Sequence, residues 1–329
     1  MSEGFFDQAD FIQLDLSNEE DRMELGRSEK NPNRHWDAGG RPRTLSVLDC
    51  ILASLMRLRS VNFIHQMAFH LQCSIGTADV VYRHFCWASY LAVTKTCVVF
   101  PSETDQVAQW MRIPEVMRNF FPGLVIAGVV DGFLSPIPDP CREYPPFLGL
   151  YFSGKMGLRD YFYNHQIVFD LFGKIIFASF GGRSIFPDIT QFRDSEIYQH
   201  TDRFLPPNHK LLGDKGYFGA PEILLTPFKR PLIDQYQVDY NATFSYLRAI
   251  CENGIGALEF MFPILRSRGL RVHWRAPPRI ALVCAGLYNF IKDHNDGHIG
   301  EYRFDYLLDP ESCLDNNCED LSVENQAGE

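Results

Sequence analysis

Residues 123–130, GLVIAGVV, form a short apolar run rich in β-branched side chains that stops at Asp131-Gly132. Such a run reads as a buried strand with a carboxylate at its carboxyl end. The segment HKLLGDKGYFG repeats the arrangement, with Leu211-Leu212 running into Gly213-Asp214-Lys215-Gly216. Residues 148–153 read as another strand and residues 162–170 and 174–179 as a hairpin about Gly173, while LLTPF at 224–228 and a polar stretch lead on to a later helix. These strands and the helices around them are read as an α/β sheet.

The helical signals lie on both sides of these strands. From Thr44, apolar residues recur at helical spacing, and the order to about Cys97 is helix, helix, turn, helix. That order resembles a helix-turn-helix unit. Its last helix, GTADVVYRHFCWASY, carries only Arg83 and His84 as basic groups, so a DNA-reading unit and a supporting helical bundle are both open. Near the other end, NATFSYLRAICENGIGALEFMF (241–262) places Asn241, Ser245, Arg248, Glu252 and Gly256 on one helical face. Leu247, Cys251, Leu258 and Phe262 make the apolar side. A final apolar helix covers 278–292. The chain divides into a polar, acidic-then-basic segment (1–43), a small all-α, helix-turn-helix-like unit (44–100), an α/β domain (101–292) and an acidic tail (293–329).

Charge is unevenly placed along these segments. The chain carries net −10, yet residues 1–25 carry −7 and residues 293–329 carry −10, so residues 26–292 carry +7. The body is thus suited to a polyanion, and the ends read as solvated acidic segments. Arg266, Arg268, Arg271 and Arg275, with Trp274 among them, form the densest basic run and the first choice for DNA contact. Lys215 is a further phosphate contact if it faces the cleft. Nine cysteines without CxxC pairing point to reduced thiols rather than a zinc ribbon or disulfide framework. No secretory signal and no apolar stretch of membrane-spanning length appears, so a soluble chain with no membrane partner is expected.

Asp131, Asp214 and Glu252 stand out by position: two at strand ends, one on a helix. They are too far apart in sequence for anything but tertiary folding to unite them. Carboxylates gathered at the carboxyl ends of strands repel one another, and oxygen-only ligands suit Mg²⁺ or Mn²⁺. Two such ions promote phosphodiester cleavage or strand transfer. The plain alternative stays open on spacing alone: Asp before Gly is a common turn residue, and Glu252 is an i,i+4 ion-pair partner for Arg248. His165 reads as a structural histidine and Asp170 as a turn acid.

Six blocks in order, VVDGFLSPIP, YFSGK, the GGRS-to-Asp188 loop, LLGDKGYFG, LLTPF and NATFSYLRAICENGIGAL, resemble the catalytic domain of PIF/Harbinger-type DDE transposases and their domesticated nuclease relatives. The resemblance spans roughly residues 121–290. It implies an RNase H-like fold, with a central mixed sheet flanked by helices, and a metal-dependent DNA endonuclease or transposase working by a two-metal mechanism. Asp131, Asp214 and Glu252 would be its catalytic, metal-binding triad, with Asp188, Asn241, Ser245 and Arg248 in support. It further implies DNA as substrate, a separate Myb-like DNA-binding partner and a nuclear location, with the cytoplasm and a homo-oligomer left open.

The chain also departs from the family's usual pattern. Phe133-Leu134 stand where Thr-His is usual, Pro187 and Phe244 where His is usual, and Glu259 and Met261 where basic residues are usual. Each change removes a polar or positive group. The alternative reading is therefore a domesticated factor that binds DNA or protein without cleavage.

Overall fold

The computed structural model describes residues 45–60, 64–137, 148–153, 160–266 and 276–294. Three helices open it: α1 (Val47–Ser60), α2 (Ile64–His70) and α3 (Ile75–Ser89). Ser74 caps α3 by accepting from the Thr77 backbone amide. α3 continues through a π-helical turn, Tyr90–Thr94, and a short turn, Lys95–Cys97. After α4 (Glu103–Met111) the chain enters a six-stranded sheet: β1 (Val125–Pro136), β2 (Phe152–Ser153), β3 (Asp160–Phe169), β4 (Ile175–Arg183), β5 (His209–Gly213) and β6 (Leu224–Leu225). Helix α5 (Asp188–Arg193) lies between β4 and β5, and α6 (Gln235–Met261) and α7 (Ala276–His294) follow the sheet.

The sheet is mixed. β1 pairs antiparallel with β3, which pairs antiparallel with β4 and β2, whereas β1–β5 and β5–β6 are parallel. Alternate residues of each inner strand enter opposite cores. Val129, Phe169, Ile175 and Leu212 join the cluster shared with α6 and α7, and with residues of α1 to α3 such as Leu58, Met67 and Tyr82. Val130, Val168, Ile176 and Leu211 join the one built from Phe192 of α5 with Ile197, Leu205 and Tyr217. Burial on both faces explains the unbroken apolar run of β1.

Several elements differ from their sequence reading. β1 does not stop at Asp131 but runs on to Pro136, because residues 129–136 find an antiparallel partner in β3. What ends near Asp131 is the parallel pairing with β5, whose last pair is Val130 with Gly213. Residues 148–153 are a 3₁₀ turn followed by a two-residue strand rather than one strand. α6 begins six residues earlier than the polar stripe, where Asp234 accepts from the Gln237 amide. The hairpin is as expected, and Asp170 closes it by accepting from the Phe172 and Lys174 amides at 2.9 and 2.8 Å.

Close approach of the late helices depends on small residues. A Cβ on Gly254 of α6 would lie 2.5 Å from the Phe169 ring of β3. One on Gly286 of α7 would lie under 3 Å from Thr94, whose hydroxyl donates to the Leu282 carbonyl at 3.2 Å. Gly254→Val is expected to cost about 1–3 kcal/mol, since neither the sheet nor the helix can yield without loss of packing. Urea denaturation checks this, and an unchanged midpoint would contradict the close approach.

Candidate active site

Side-chain alternation places the first two acids. Asp131 is two residues beyond Val129 and Asp214 two beyond Leu212, so both face α6, side by side where the β1–β5 pairing ends. Each spends one carboxylate oxygen on its own backbone. Asp131 Oδ1 accepts from the Gly132 amide at 2.8 Å, and Asp214 Oδ1 accepts from the Gly216 amide at 2.7 Å, capping the 3₁₀ turn Lys215–Tyr217. The second oxygen of each turns towards α6.

There it meets Arg248. The guanidinium Nη1 lies 3.4 Å from Asp131 Oδ2 and 3.9 Å from Asp214 Oδ2, while Nη2 is ion-paired with Glu252 Oε1. The sequence-predicted acids thus converge on one cation, with the two aspartate oxygens within about 7 Å of each other. The open Arg248–Glu252 alternative is also realised, as an i,i+4 pair. Exposure rises from 19% for the Asp131 side chain to 54% for Glu252, so the site opens to solvent on the helix side.

Asp188 is a fourth acid at this place, on the opposite face of β1. It begins α5 after Pro187 and accepts from Asn164 Nδ2 at 2.8 Å. Its oxygens lie 3.1 and 3.3 Å from where Cβ atoms on Gly132 and Gly216 would sit, so both glycines leave it room. Burial pushes the Asp131 carboxyl up to about 6; the Gly132 amide and Arg248 oppose this, and Asp214 and Asp188 reinforce it. Beneath them the buried Tyr217 hydroxyl donates to Gln166 Oε1 at 2.5 Å, and burial holds that phenol well above its usual range. Sequence reading missed both; the pairing of Gln166 with Gly132 across β3 and β1 explains Gln166's place, and no local motif marks it.

The remaining predicted residues divide. Asn241 is not part of the acid cluster: it accepts from the Phe228 amide at 2.8 Å and donates to the Phe228 carbonyl at 3.1 Å, clasping the loop after β6 to α6. It stands eleven residues before Glu252, about 16 Å along the helix. Ser245 is exposed one turn before Arg248, and Lys215 is exposed next to Asp214. Arg266 is engaged by Glu259, Nε to Oε2 at 2.7 Å, rather than free for phosphate. Arg268, Arg271 and Arg275 lie outside the described residues. Arg83 is paired with Asp79 at 2.8 Å.

Phe133 is buried against His165, with ring centroids 4.8 Å apart, and Phe244 is buried against Tyr240 at 5.9 Å, so both side chains belong to the core rather than to bare site surface. His165 accepts from the Gly181 amide through Nδ1 at 3.1 Å, which leaves Nε2–H to donate to Ser135 at 2.6 Å. Burial drives its pKa down to about 3, and it is structural. The six described cysteines carry no disulfide; Cys251 and Cys284 are fully buried and the other four half-buried.

As a donor set, Asp131, Asp214 and Glu252 fit a hard divalent cation: oxygen ligands only, from three elements, around a point now held by a guanidinium. Among the described residues, however, no three His, Cys, Asp or Glu side chains stand close enough together to hold an ion as they are. No described helix is long and apolar enough to cross a membrane. With the Asp131 pKa raised above its unfolded value, its ionisation opposes folding above about pH 6 and not below about pH 4. Asp131→Asn should therefore raise the melting temperature of the metal-free protein by a few degrees at pH 7.5, the gain vanishing as pH falls towards 4. Equal melting temperatures at both pH values would contradict the assigned burial cost.

No curated protein and no solved structure matches this chain. A family model does, and the region it matches contains all four acids and Arg248. Residues 130–289 match the DDE superfamily endonuclease family.

Proposed function

We propose that the chain is a metal-dependent DNA endonuclease or transposase of PIF/Harbinger type, with an RNase H-like catalytic domain and Asp131, Asp214 and Glu252 as its catalytic acids. The observation that carries this reading is the convergence of those three carboxylates on Arg248 within the region matching the endonuclease family. Mg²⁺ or Mn²⁺ would be held by Asp131, Asp214 and Glu252, and would supply Lewis-acid stabilisation of the phosphoryl and leaving oxygens in a two-metal mechanism. The chain's own groups set the frame for it. The backbone amides of Gly132 and Gly216 hold Asp131 and Asp214 with one oxygen each facing the cleft. Glu252, the most exposed, approaches from the helix.

DNA would lie along this open side. Lys215, exposed beside Asp214, would meet a phosphate, and Arg266, once released from Glu259, would add a second contact, with Arg268, Arg271 and Arg275 proposed as further DNA contacts from their sequence alone. Asp188 would shape the far wall of the site, and Ser245 would border its entrance. The helices of residues 44–100 serve in this reading as a helix-turn-helix-like unit, with a separate Myb-like protein as DNA-binding partner and a nuclear site of action. Assembly of several copies belongs to the same reading.

A second reading, a transposase-derived DNA- or protein-binding factor without cleavage, is favoured by one observation: the three acids are already neutralised in part by Arg248. Nicking of supercoiled plasmid by the purified full chain distinguishes the two. The endonuclease reading expects nicking that requires Mg²⁺ or Mn²⁺ and falls to background in Asp214→Ala. Equal nicking by Asp214→Ala would overturn the site, and no nicking by the wild type with either ion would favour the second reading.

A further inference from the structure

Four carboxylates, those of Asp131, Asp188, Asp214 and Glu252, surround one short stretch of the sheet, and the cation ion-paired with three of them is Arg248. The backbone amides of Gly132 and Gly216 already fix Asp131 and Asp214. Arg248 is therefore not needed to aim those two acids. What it supplies is charge, at the point where their free oxygens and Glu252 meet.

A guanidinium and a divalent ion cannot share that point, because they repel and compete for the same oxygens. Arg248 has somewhere else to go. Its side chain is 23% exposed, and its nearest acid, Glu252, is the most exposed of the three and lies one turn further along the same solvent-facing edge of α6. The guanidinium can swing outwards along this edge, leaving Glu252 with the two aspartates, while Leu247, Cys251 and Leu258 stay buried against the sheet.

We propose that Arg248 is the resident counter-cation of the site: it holds the acids together when no ion is bound, and a divalent ion enters by displacing its guanidinium. Ion binding at this site is then an exchange of cations. This inference rests on the metal-dependent reading of the site and adds to it that the chain's own arginine competes with the ion.

Mn²⁺ titration of the full-length protein by calorimetry, with melting temperatures measured in parallel with and without the ion, tests it on wild type, Arg248→Gln and Arg248→Lys. Arg248→Gln should melt lower than wild type without ion, bind Mn²⁺ roughly tenfold more tightly or better, and gain more melting temperature from the ion. Arg248→Lys keeps the charge but loses the fork that reaches all three acids, so it should fall between the two. A merely structural arginine would lower the metal-free melting temperature without tightening Mn²⁺ binding. Mn²⁺ binding by the wild type, with equal or weaker binding by both variants, overturns the exchange and leaves the metal reading standing. Absence of Mn²⁺ binding in all three proteins overturns both. If Arg248→Gln does not fold, the comparison of Arg248→Lys with wild type decides by the same criterion.

Discussion

The parallel pairing of β1 with β5 is the constraint on which the site depends. It ends at Val130 opposite Gly213, and the next residue on each strand is an aspartate. Strand alternation turns both towards α6. There the i,i+4 geometry of one helix brings Arg248 and Glu252 to the same point. A one-residue slip between β1 and β5 would offset the two aspartates, and a one-residue change in either strand's facing would turn its acid towards α5.

Helix α6 must therefore be held at a set height over the sheet, and small residues allow that. Gly254, two residues after Glu252, lets the helix backbone settle on Phe169, and the buried Phe244, Leu247, Cys251 and Leu258 fill the rest of the interface. Asn241 ties the start of the same helix to the loop after β6, and Arg59 of α1 donates to the carbonyls of Phe260 and Met261 at its end, at 2.8 and 3.2 Å. Arg59 is a cation at a helix carboxyl terminus, where it also favours the helix dipole. The early helices and α7 share the core cluster of α6, so the packing that positions Glu252 extends back to residues such as Leu58 and Tyr82.

Much of this was legible because apolar runs that stop at an acid are local signals. GLVIAGVV before Asp131 and LLG before Asp214 each read as buried strands, and both are. The extension of β1 to Pro136 was not legible: DGFLSP carries Gly and Pro, which punctuate turns, and only pairing with β3 makes it strand. Asn241 read as a site residue because it shares a helical stripe with Glu252. A stripe fixes direction and not distance, and three turns of helix separate them. The start of α6 had a readable signal in Asp234 followed three residues later by Gln237, a capping pattern. The place of Asp188 depends on the room that Gly132 and Gly216 leave for it across the chain. No periodicity reports that.

Anomalous diffraction from crystals of the wild-type protein soaked in Mn²⁺ tests the central assignment most directly. Density for the ion is expected between Asp131, Asp214 and Glu252, with the Arg248 guanidinium displaced from its present contacts. Mn²⁺ bound elsewhere, with Arg248 still seated among the three acids, would contradict it.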